Sequence, residues 1–433
     1  MREVKQFETV IGGKKVEVTL GKYAFQSNGS CIVKCNDTVV MVNTTMSKSP
    51  RPGQDFFPLG VDFEEKMYAV GKIPGGFKRR EGRPSDQAIL TSRLIDRPLR
   101  PLFPKGFFND VSVVATPLSI DPDVAPEPIA MFASSLALTV SDIPFAGPTG
   151  SVDIAYVDGN YIANPTADER EQSLIDLTVA GTKEAILMVE AGAKEVSEEV
   201  MLKGILFAHE EIKKQVAFQE QIAAELGVTK CDSIEYYKVP EEIENAVREY
   251  AYEKVVDVMK HFNRYEREDA EDAMDEDVLA HFAETFPEKE REILDTLYKI
   301  KKEVMRSKIL NEGVRPDGRQ TTEIRPIWCE AGVLPRTHGS GVFTRGETQV
   351  LTTCTLGPLS DVQILDGLDE ETEVKKRYMH HYNFPPYSTG EAKSLKSPGR
   401  REIGHGALAE RSLVPVLPTE EEFPYAIRTV SEV

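Results

Sequence analysis

The 433-residue chain lacks a CxxC pair, an apolar run of bilayer length and any excess of positive charge. Its five cysteines (Cys31, Cys35, Cys231, Cys329, Cys354) are odd in number and scattered, which excludes a disulfide framework or a cysteine-rich zinc site. Cys31 and Cys35 fall in a strand-like stretch and are expected to pack there. The longest near-apolar run, 129–140, holds two Ser and a Thr and is too short to cross a membrane. The opening MREVKQFETVIGG has no apolar signal core. The chain therefore reads as soluble and cytoplasmic, without a membrane partner. Lys and Arg number 52 against 71 Asp and Glu, a formal charge of −19. Such a chain does not coat nucleic acid non-specifically, so any polyanion site must be a local basic patch. No HExxH, GxxxxGK[ST], GxSxG or EF-hand pattern occurs, and no metal site is assigned to these residues. With 40% hydrophobic and 28% charged residues, the chain has core material for about three globular units.

From Gly12 to Met46, short alternating runs joined by Ser27-Asn28-Gly29 and Asn36-Asp37 predict strands. VDFEEKMYAV predicts another, followed by the Gly- and Arg-rich stretch GKIPGGFKRREGRPS. A helix is predicted from near Pro84 to Pro98. A strand over VSVVATPLSI, a helix over 126–139, strands near 152–157, 174–180 and 185–189, and a helix over 197–220 complete a mixed α/β domain. Residues 241–310 differ in kind. They carry 20 acidic and 12 basic side chains with helical spacing of Val247, Tyr250, Val255, Val256 and Met259, which predicts an all-helical domain with a solvated acidic face.

From Arg315 strands return, and the chain repeats itself. Gly29-Ser30 and Thr38-Val39-Val40 recur as Gly339-Ser340 and Thr348-Gln349-Val350, both 310 residues on. Arg79-Arg80-Glu81 matches Arg400-Arg401-Glu402, and Asp96 to Pro104 matches Glu410 to Pro418. Three matches in the same order indicate a duplicated domain. Copy one continues for roughly 100 residues past Ser119, a normal domain size, whereas copy two reaches Val433 at the point matching about Ser119. The second copy is thus expected to be truncated, as in a fragment.

Chemistry is carried by Arg. Lys72 to Lys105 contains nine basic residues, among them Arg79, Arg80, Arg83, Arg93, Arg97 and Arg100, against Glu81, Asp86 and Asp96. Arg93 and Arg97 are one helical turn apart. The guanidinium fork donates two parallel hydrogen bonds to phosphate, and Phe77 is placed to stack on a base. In copy two, Arg400 and Arg401 are adjacent and, on a loop, reach two phosphates; His405 between two glycines can donate a hydrogen bond. The competing reading is an ordinary surface whose Arg residues pair with acidic neighbours. His380 and His381 sit side by side in a likely strand and so face opposite ways.

The runs RPGQDFFPL, GGFKRREGRPS, LIDRPLRPLFP, VLPRTHGS, FTRGETQ, HYNFPPYS and RREIGHG resemble the bacterial polynucleotide phosphorylase family over essentially the whole chain. The resemblance implies an α/β (α+β) fold: a first ribonuclease PH-like domain over 1–225, an all-helical linker domain over 240–312, and the N-terminal half of a second ribonuclease PH-like domain over 313–433. It implies 3′-to-5′ phosphorolysis of single-stranded RNA by inorganic phosphate, releasing nucleoside diphosphates, within mRNA decay. It further implies a homotrimer, RNA degradosome partners and Mg²⁺ whose ligands lie beyond Val433. Arg79, Arg80 and Arg83 would belong to an RNA-gripping loop, and Arg400, Arg401 and His405 to the active site. The family's Ser run and Asp-x5-Asp-x-Lys motif would follow Val433. Copy one offers Arg170, Asp176 and Thr178 where that motif falls, and Ile129 to Ser135 for the Ser run, so copy one is expected to be non-catalytic. This chain alone is then expected to be inactive. The alternatives are a non-catalytic RNA-binding ring subunit and an acidic scaffold whose Arg residues pair internally.

Overall fold

Alternation of apolar and polar residues produces strands and a helix in a fixed order, six of which the chain then runs through again. The computed structural model describes residues 3–365, 367, 368 and 374–433. In the first copy β1 (Lys5–Ile11), β2 (Lys14–Leu20), β3 (Gly29–Cys35), β4 (Thr38–Met46) and β5 (Leu59–Phe63) precede α1 (Asp86–Leu99) and β6 (Val111–Ser119). The six strands form one sheet in the order β1-β2-β3-β4-β6-β5, with β5 parallel to β6. On β3 every second residue, including Cys31, Val33 and Cys35, is buried, as period-two patterning requires. Cys31 and Cys35 are therefore packed, and burial pushes the Cys31 thiol up to about 12.

α2 (Pro126–Thr139) crosses the inner face of this sheet and is buried almost throughout. Its hydroxyls are satisfied locally, Ser134 donating to Ala130 O at 2.7 Å and Thr139 to Ser135 O at 2.8 Å. Its last carbonyls accept from Lys230 Nζ, which reaches Leu138, Thr139 and Ser141. A second sheet follows: β7 (Gly150–Val157), β8 (Asn160–Ala163), α3 (Ala167–Gln172), β9 (Ile175–Gly181) and β10 (Ile186–Ala193), ordered β10-β9-β7-β8. α4 (Glu198–Leu226) covers it, capped by Ser197 and ended by left-handed Gly227. It runs past Glu220, where the expected helix stops. Two other expectations shift. VDFEEKMYAV is a strand only to Phe63, with a 3₁₀ turn at Met67–Val70, and the helix expected from Pro84 starts at Asp86 with Ser85 as its cap.

The helical part comprises α5 (Glu241–Val258), α6 (Arg264–Phe282) and α7 (Glu290–Glu312). Val247, Ala251, Val255, Met274, Val278, Phe282, Ile293, Leu297 and Ile300 make its core. None of the described helices is long and apolar enough to cross a membrane.

The second copy is built from β11 (Ile327–Ala331), β12 (Gly339–Arg345), β13 (Thr348–Gly357), a small ribbon of β14 (Gln363–Leu365) and β15 (Val374–Lys376), then β16 (Tyr378–Asn383), α8 (Arg400–Leu413) and β17 (Ala426–Glu432). Its sheet order, β11-β12-β13-β17-β16, repeats β2-β3-β4-β6-β5 strand for strand, again with one parallel pair. α8 repeats α1 314 residues later. This fixes the register of the duplication and corrects one match. Arg79-Arg80-Glu81 lie in a loop ahead of α1, whereas Arg400-Arg401-Glu402 form the first turn of α8, in the place of Asp86-Gln87-Ala88. The two tripeptides are not equivalent, and Arg400 and Arg401 stand on a helix rather than on a loop.

By compactness the chain divides into one unit of Met1–Tyr236, Cys329–Phe343 and Thr348–Val433, and another of Tyr237–Trp328 and Thr344–Glu347. Both copies of the repeated fold thus contribute to the first unit, where α1 packs on α8.

Candidate nucleic-acid interface

Close approach of α1 and α8 explains the glycines around His405. A Cβ at Gly404 would stand 2.6 Å from Arg93 Nε, and one at Gly406 would stand 3.1 Å from the carbonyl of His380 on β16. A side chain at 404 would displace the Arg93 guanidinium and one at 406 would press on the β16 backbone, so glycine at both positions lets α8 lie close to its neighbours. His405 is thereby held beside Tyr382, ring centroids 5.1 Å apart at 69°, while the Arg401 guanidinium lies 5.8 Å from the Phe384 centroid. Partial burial, then the charges of Arg401 and Arg93, push the His405 imidazole below its usual range. At neutral pH it is an uncharged ring able to donate one hydrogen bond. The structure thus brings Arg93 from copy one together with Arg401 and His405 from copy two.

Arg400 behaves differently. It donates to Val61 O at 2.6 Å and pairs with Asp62, both on β5 of the other copy. Arg97 donates to Glu190 Oε2 at 2.5 Å and to Val189 O, and Arg411 approaches the other oxygen of Glu190 at 3.3 Å. Arg97 and Arg411 are the same position in α1 and α8. Arg100 pairs with Asp96 at 2.9 Å and donates to the carbonyls of Phe57 and Leu59, supporting the loop ahead of β5. Asp62 and Glu190 carry no local sequence signal; only the fold of the duplicated pair places them opposite their arginines.

The loop before α1 supplies a second group. The Phe77 side chain is fully exposed. Arg79 adopts a left-handed φ of 49° and turns its guanidinium back to Pro74 O and Gly75 O at 3.4 and 3.3 Å. Arg80 and Arg83 are exposed and, among the described residues, form no ion pair. Glu81 accepts from the Met67 amide at 3.1 Å, anchoring the base of the loop.

Copy one offers no comparable set. Arg170 donates to Pro165 O and Pro122 O, and Thr178 Oγ1 donates to Asp153 at 2.8 Å. Ser135 Oγ accepts the Thr149 amide, so the hydroxyls of Ser134 and Ser135 are committed to the interior. Burial pushes the Asp153 carboxyl up to about 6 from an ordinary 3.8, partly opposed by the Thr178 hydrogen bond. The folded state therefore holds this proton more tightly than the unfolded chain. Its contribution is intact below about pH 4 and is lost as pH rises through 6, leaving a penalised carboxylate at neutral pH. Asp153→Asn, which still accepts from Thr178, is expected to raise unfolding free energy at pH 7.5 by about 1–2 kcal/mol and to flatten its fall between pH 4 and 6. Urea melts at pH 4.5 and 7.5 check this; equal destabilisation at both values would refute it. Among the described residues no group of three or more His, Cys, Asp or Glu side chains converges as a metal site requires. Among the described residues, the side chains present do not fit a Mg²⁺ centre.

Comparison with known proteins agrees with the duplication. The 3′ exoribonuclease family, domain 1, matches residues 12–144 and again 323–433, and domain 2 of that family matches 147–211. The RNA binding domain of polyribonucleotide nucleotidyltransferase matches 242–320. The chain is 59% identical over 436 residues to the polyribonucleotide nucleotidyltransferase of Clostridioides difficile strain 630, covering 100% of this chain and 62% of the relative. It is 56% identical to that of Alkaliphilus oremlandii strain OhILAs, over 99% of this chain and 61% of the relative. The chain thus spans about three-fifths of the length of these relatives. A chain of the Archaeoglobus fulgidus exosome with RNA bound to the active site aligns with 48% of this chain and 88% of its own, at 20% identity and a TM-score of 0.39. With the domain-1 pattern present twice and the repeated sheet order to match, this chain belongs to the 3′ exoribonuclease (ribonuclease PH) family and is, over its full length, similar to polyribonucleotide nucleotidyltransferases.

Proposed function

We propose that the chain is the RNA-handling part of a 3′-to-5′ phosphorolytic exoribonuclease that degrades single-stranded RNA. The convergence of Arg93, Arg401 and His405 across the α1–α8 contact supports this reading most directly. In phosphorolysis an oxygen of inorganic phosphate forms a bond to the terminal phosphorus while the bond to the preceding 3′ oxygen breaks. A nucleoside diphosphate leaves, and the shortened RNA takes up a proton at that oxygen. Two anions must meet, and fixed guanidinium groups offset their repulsion. Arg93 and Arg401 supply that charge, and the neutral His405 ring supplies a hydrogen bond to a phosphate oxygen. Phe77, Arg80 and Arg83 on an exposed loop suit a threaded strand, the ring for a base and the guanidinium groups for its phosphates.

Turnover is a different matter. We place the Mg²⁺ of the proposed reaction, with phosphate activation, at residues outside this chain, because among the described residues no carboxylate set gathers to hold it, and we place the whole enzyme as a cytoplasmic homotrimer acting in mRNA decay with degradosome partners. The test uses poly(A), phosphate and Mg²⁺. This chain is expected to bind poly(A) more weakly as salt rises and to release no ADP, whereas the chain extended to the length of its relatives releases it. Arg93→Ala with Arg401→Ala is expected to weaken binding roughly tenfold. Robust ADP release by the 433-residue chain would overturn the assignment of turnover, and salt-insensitive or absent RNA binding would overturn the RNA reading. The alternative of a non-catalytic RNA-binding subunit predicts no ADP from the extended chain.

A further inference from the structure

The two copies tie helix to edge strand differently, and the difference falls beside Arg401 and His405. Among the described residues β5 and β16 are each the outermost strand of their sheet, and α1 and α8 lie against them. In copy one the Phe63 amide of β5 donates to Ser92 Oγ of α1 at 2.9 Å, and that hydroxyl donates in turn to Ala88 O. Gly406 stands 314 residues on from Ser92 and has no hydroxyl to offer. One turn further along α8, Glu410 takes over the tie. Its Oε2 accepts the His380 amide of β16 at 3.0 Å, and its Oε1 accepts Lys376 Nζ, just ahead of that strand, at 2.8 Å. The counterpart of Glu410 in α1 is Asp96, which pairs within its own helix with Arg100. At the matching position of Arg100 the second copy has Val414. Glu410, one methylene longer and only 20% exposed at its side chain, turns to the strand instead.

We propose that Glu410 is a positioning residue for the α1–α8 site: it holds α8 on β16 and so keeps His405 against Tyr382 and Arg401 against Phe384. This rests on the RNA reading above and makes the placement of both copy-two groups depend on one carboxylate. Arg401, His405 and Glu410 share α8, the first two one turn apart. Tyr382 lies on β16 and Phe384 just past it, with their rings stacked at 6.4 Å and 11°. With the tie at 410, position 406 is left without a side chain, where a Cβ would stand only 3.1 Å from the His380 carbonyl. Groups that recognise a ligand must be held within about 0.5 Å of their working place, so slack between α8 and β16 is felt at the phosphate.

The test measures binding of fluorescein-labelled oligo(A) by the full 433-residue chain, with urea melts to show that each variant is folded. Loss of a negative charge alone would make Glu410→Ala bind a polyanion more tightly. With Glu410 as a positioning residue, Glu410→Ala instead binds at least about fivefold more weakly. Glu410→Gln, which still accepts the His380 amide, is expected to stay within about twofold of the unaltered chain. Glu410→Asp keeps the charge but falls one methylene short of that amide; it is expected to weaken binding about threefold and serves in place of Glu410→Ala if the latter does not fold. The loss runs through Arg401 and His405, so in an Arg401→Ala, His405→Ala background Glu410→Ala causes no further weakening. In Glu410→Ala the His405 imidazole, loosened from Tyr382, is expected to titrate closer to its ordinary 6.5 by nuclear magnetic resonance, whereas loss of a negative charge alone would lower it further. If Glu410→Ala binds as tightly as the unaltered chain, or more tightly, while Arg401→Ala binds weakly, the proposal falls and the RNA reading stands. An equal loss in the doubly altered background has the same meaning. If Arg401→Ala itself binds as the unaltered chain does, the RNA reading of this site falls, and the proposal with it.

Discussion

Gly29→Ala is expected to lower the unfolding free energy by about 3 kcal/mol or more, and the same change at its repeat, Gly339→Ala, by less than about 1 kcal/mol. The two glycines begin equivalent strands, β3 and β12, and precede the same serine. Neither has a left-handed backbone, so the difference is one of space. A Cβ on Gly29 would stand 2.1 Å from the carbonyl oxygen of Ala137 and 2.9 Å from Ser141 Cβ, because α2 lies directly on β3. Neither backbone can yield: the α2 end is held by Lys230, and β3 is paired on both sides. A Cβ on Gly339 would meet only Cys354 Cβ, at 3.2 Å, since among the described residues no helix of copy two corresponds to α2. Urea melts of the two variants measure the asymmetry. Equal losses would mean that the strand start, rather than the covering helix, is what fixes Gly29. In a chain long enough to supply the counterpart of α2, Gly339→Ala is expected to become as damaging as Gly29→Ala.

That contrast shows what the sequence could reveal. Strand periodicity around Cys31 and Cys35, the turn residues and the helix start near Pro84 are local signals, and they placed most elements within a few residues. The duplication was visible because strand starts and helix exits repeat, but its register near the arginines was not. Two Arg-Arg-Glu tripeptides suggested an equivalence that the helix positions contradict, since the loop between β5 and α1 and the one between β16 and α8 differ in length. Nor could residue type tell which arginines would be free. Arg93 and Arg97 share a helix and a spacing, yet one stands against Gly404 and the other is taken by Glu190, a partner 93 residues away. Long-range partners such as Asp62 and Glu190 arise only when two sheets and two helices have assembled.

Glu190→Ala is expected to destabilise the first unit by about 2 kcal/mol and to act on the contact between the two copies. Glu190 is 15% exposed at its side chain, and its two carboxylate oxygens receive Arg97 and Arg411 separately. Without it, two guanidinium groups that duplication has placed at matching positions would face one another with no anion between them. Removing one member of a buried charge network costs about 3–5 kcal/mol, because the remaining charge is left unpaired. Here the arginine side chains are 41% and 32% exposed, so water relieves part of the repulsion and the smaller figure applies. Glu190→Gln keeps two hydrogen-bonding atoms but no charge and is expected to lose about half as much. A triple comparison separates charge from packing. Arg97→Ala in the Glu190→Ala background is expected to recover stability, since it removes the like-charge contact, whereas Arg97→Ala alone lowers it. Raising salt to 1 M is expected to narrow the gap between Glu190→Ala and the unaltered chain by screening the two arginines. If Glu190→Ala and Arg97→Ala instead add without interaction, the carboxylate does not couple the two copies, and α1 and α8 are held together by their glycine-mediated packing alone.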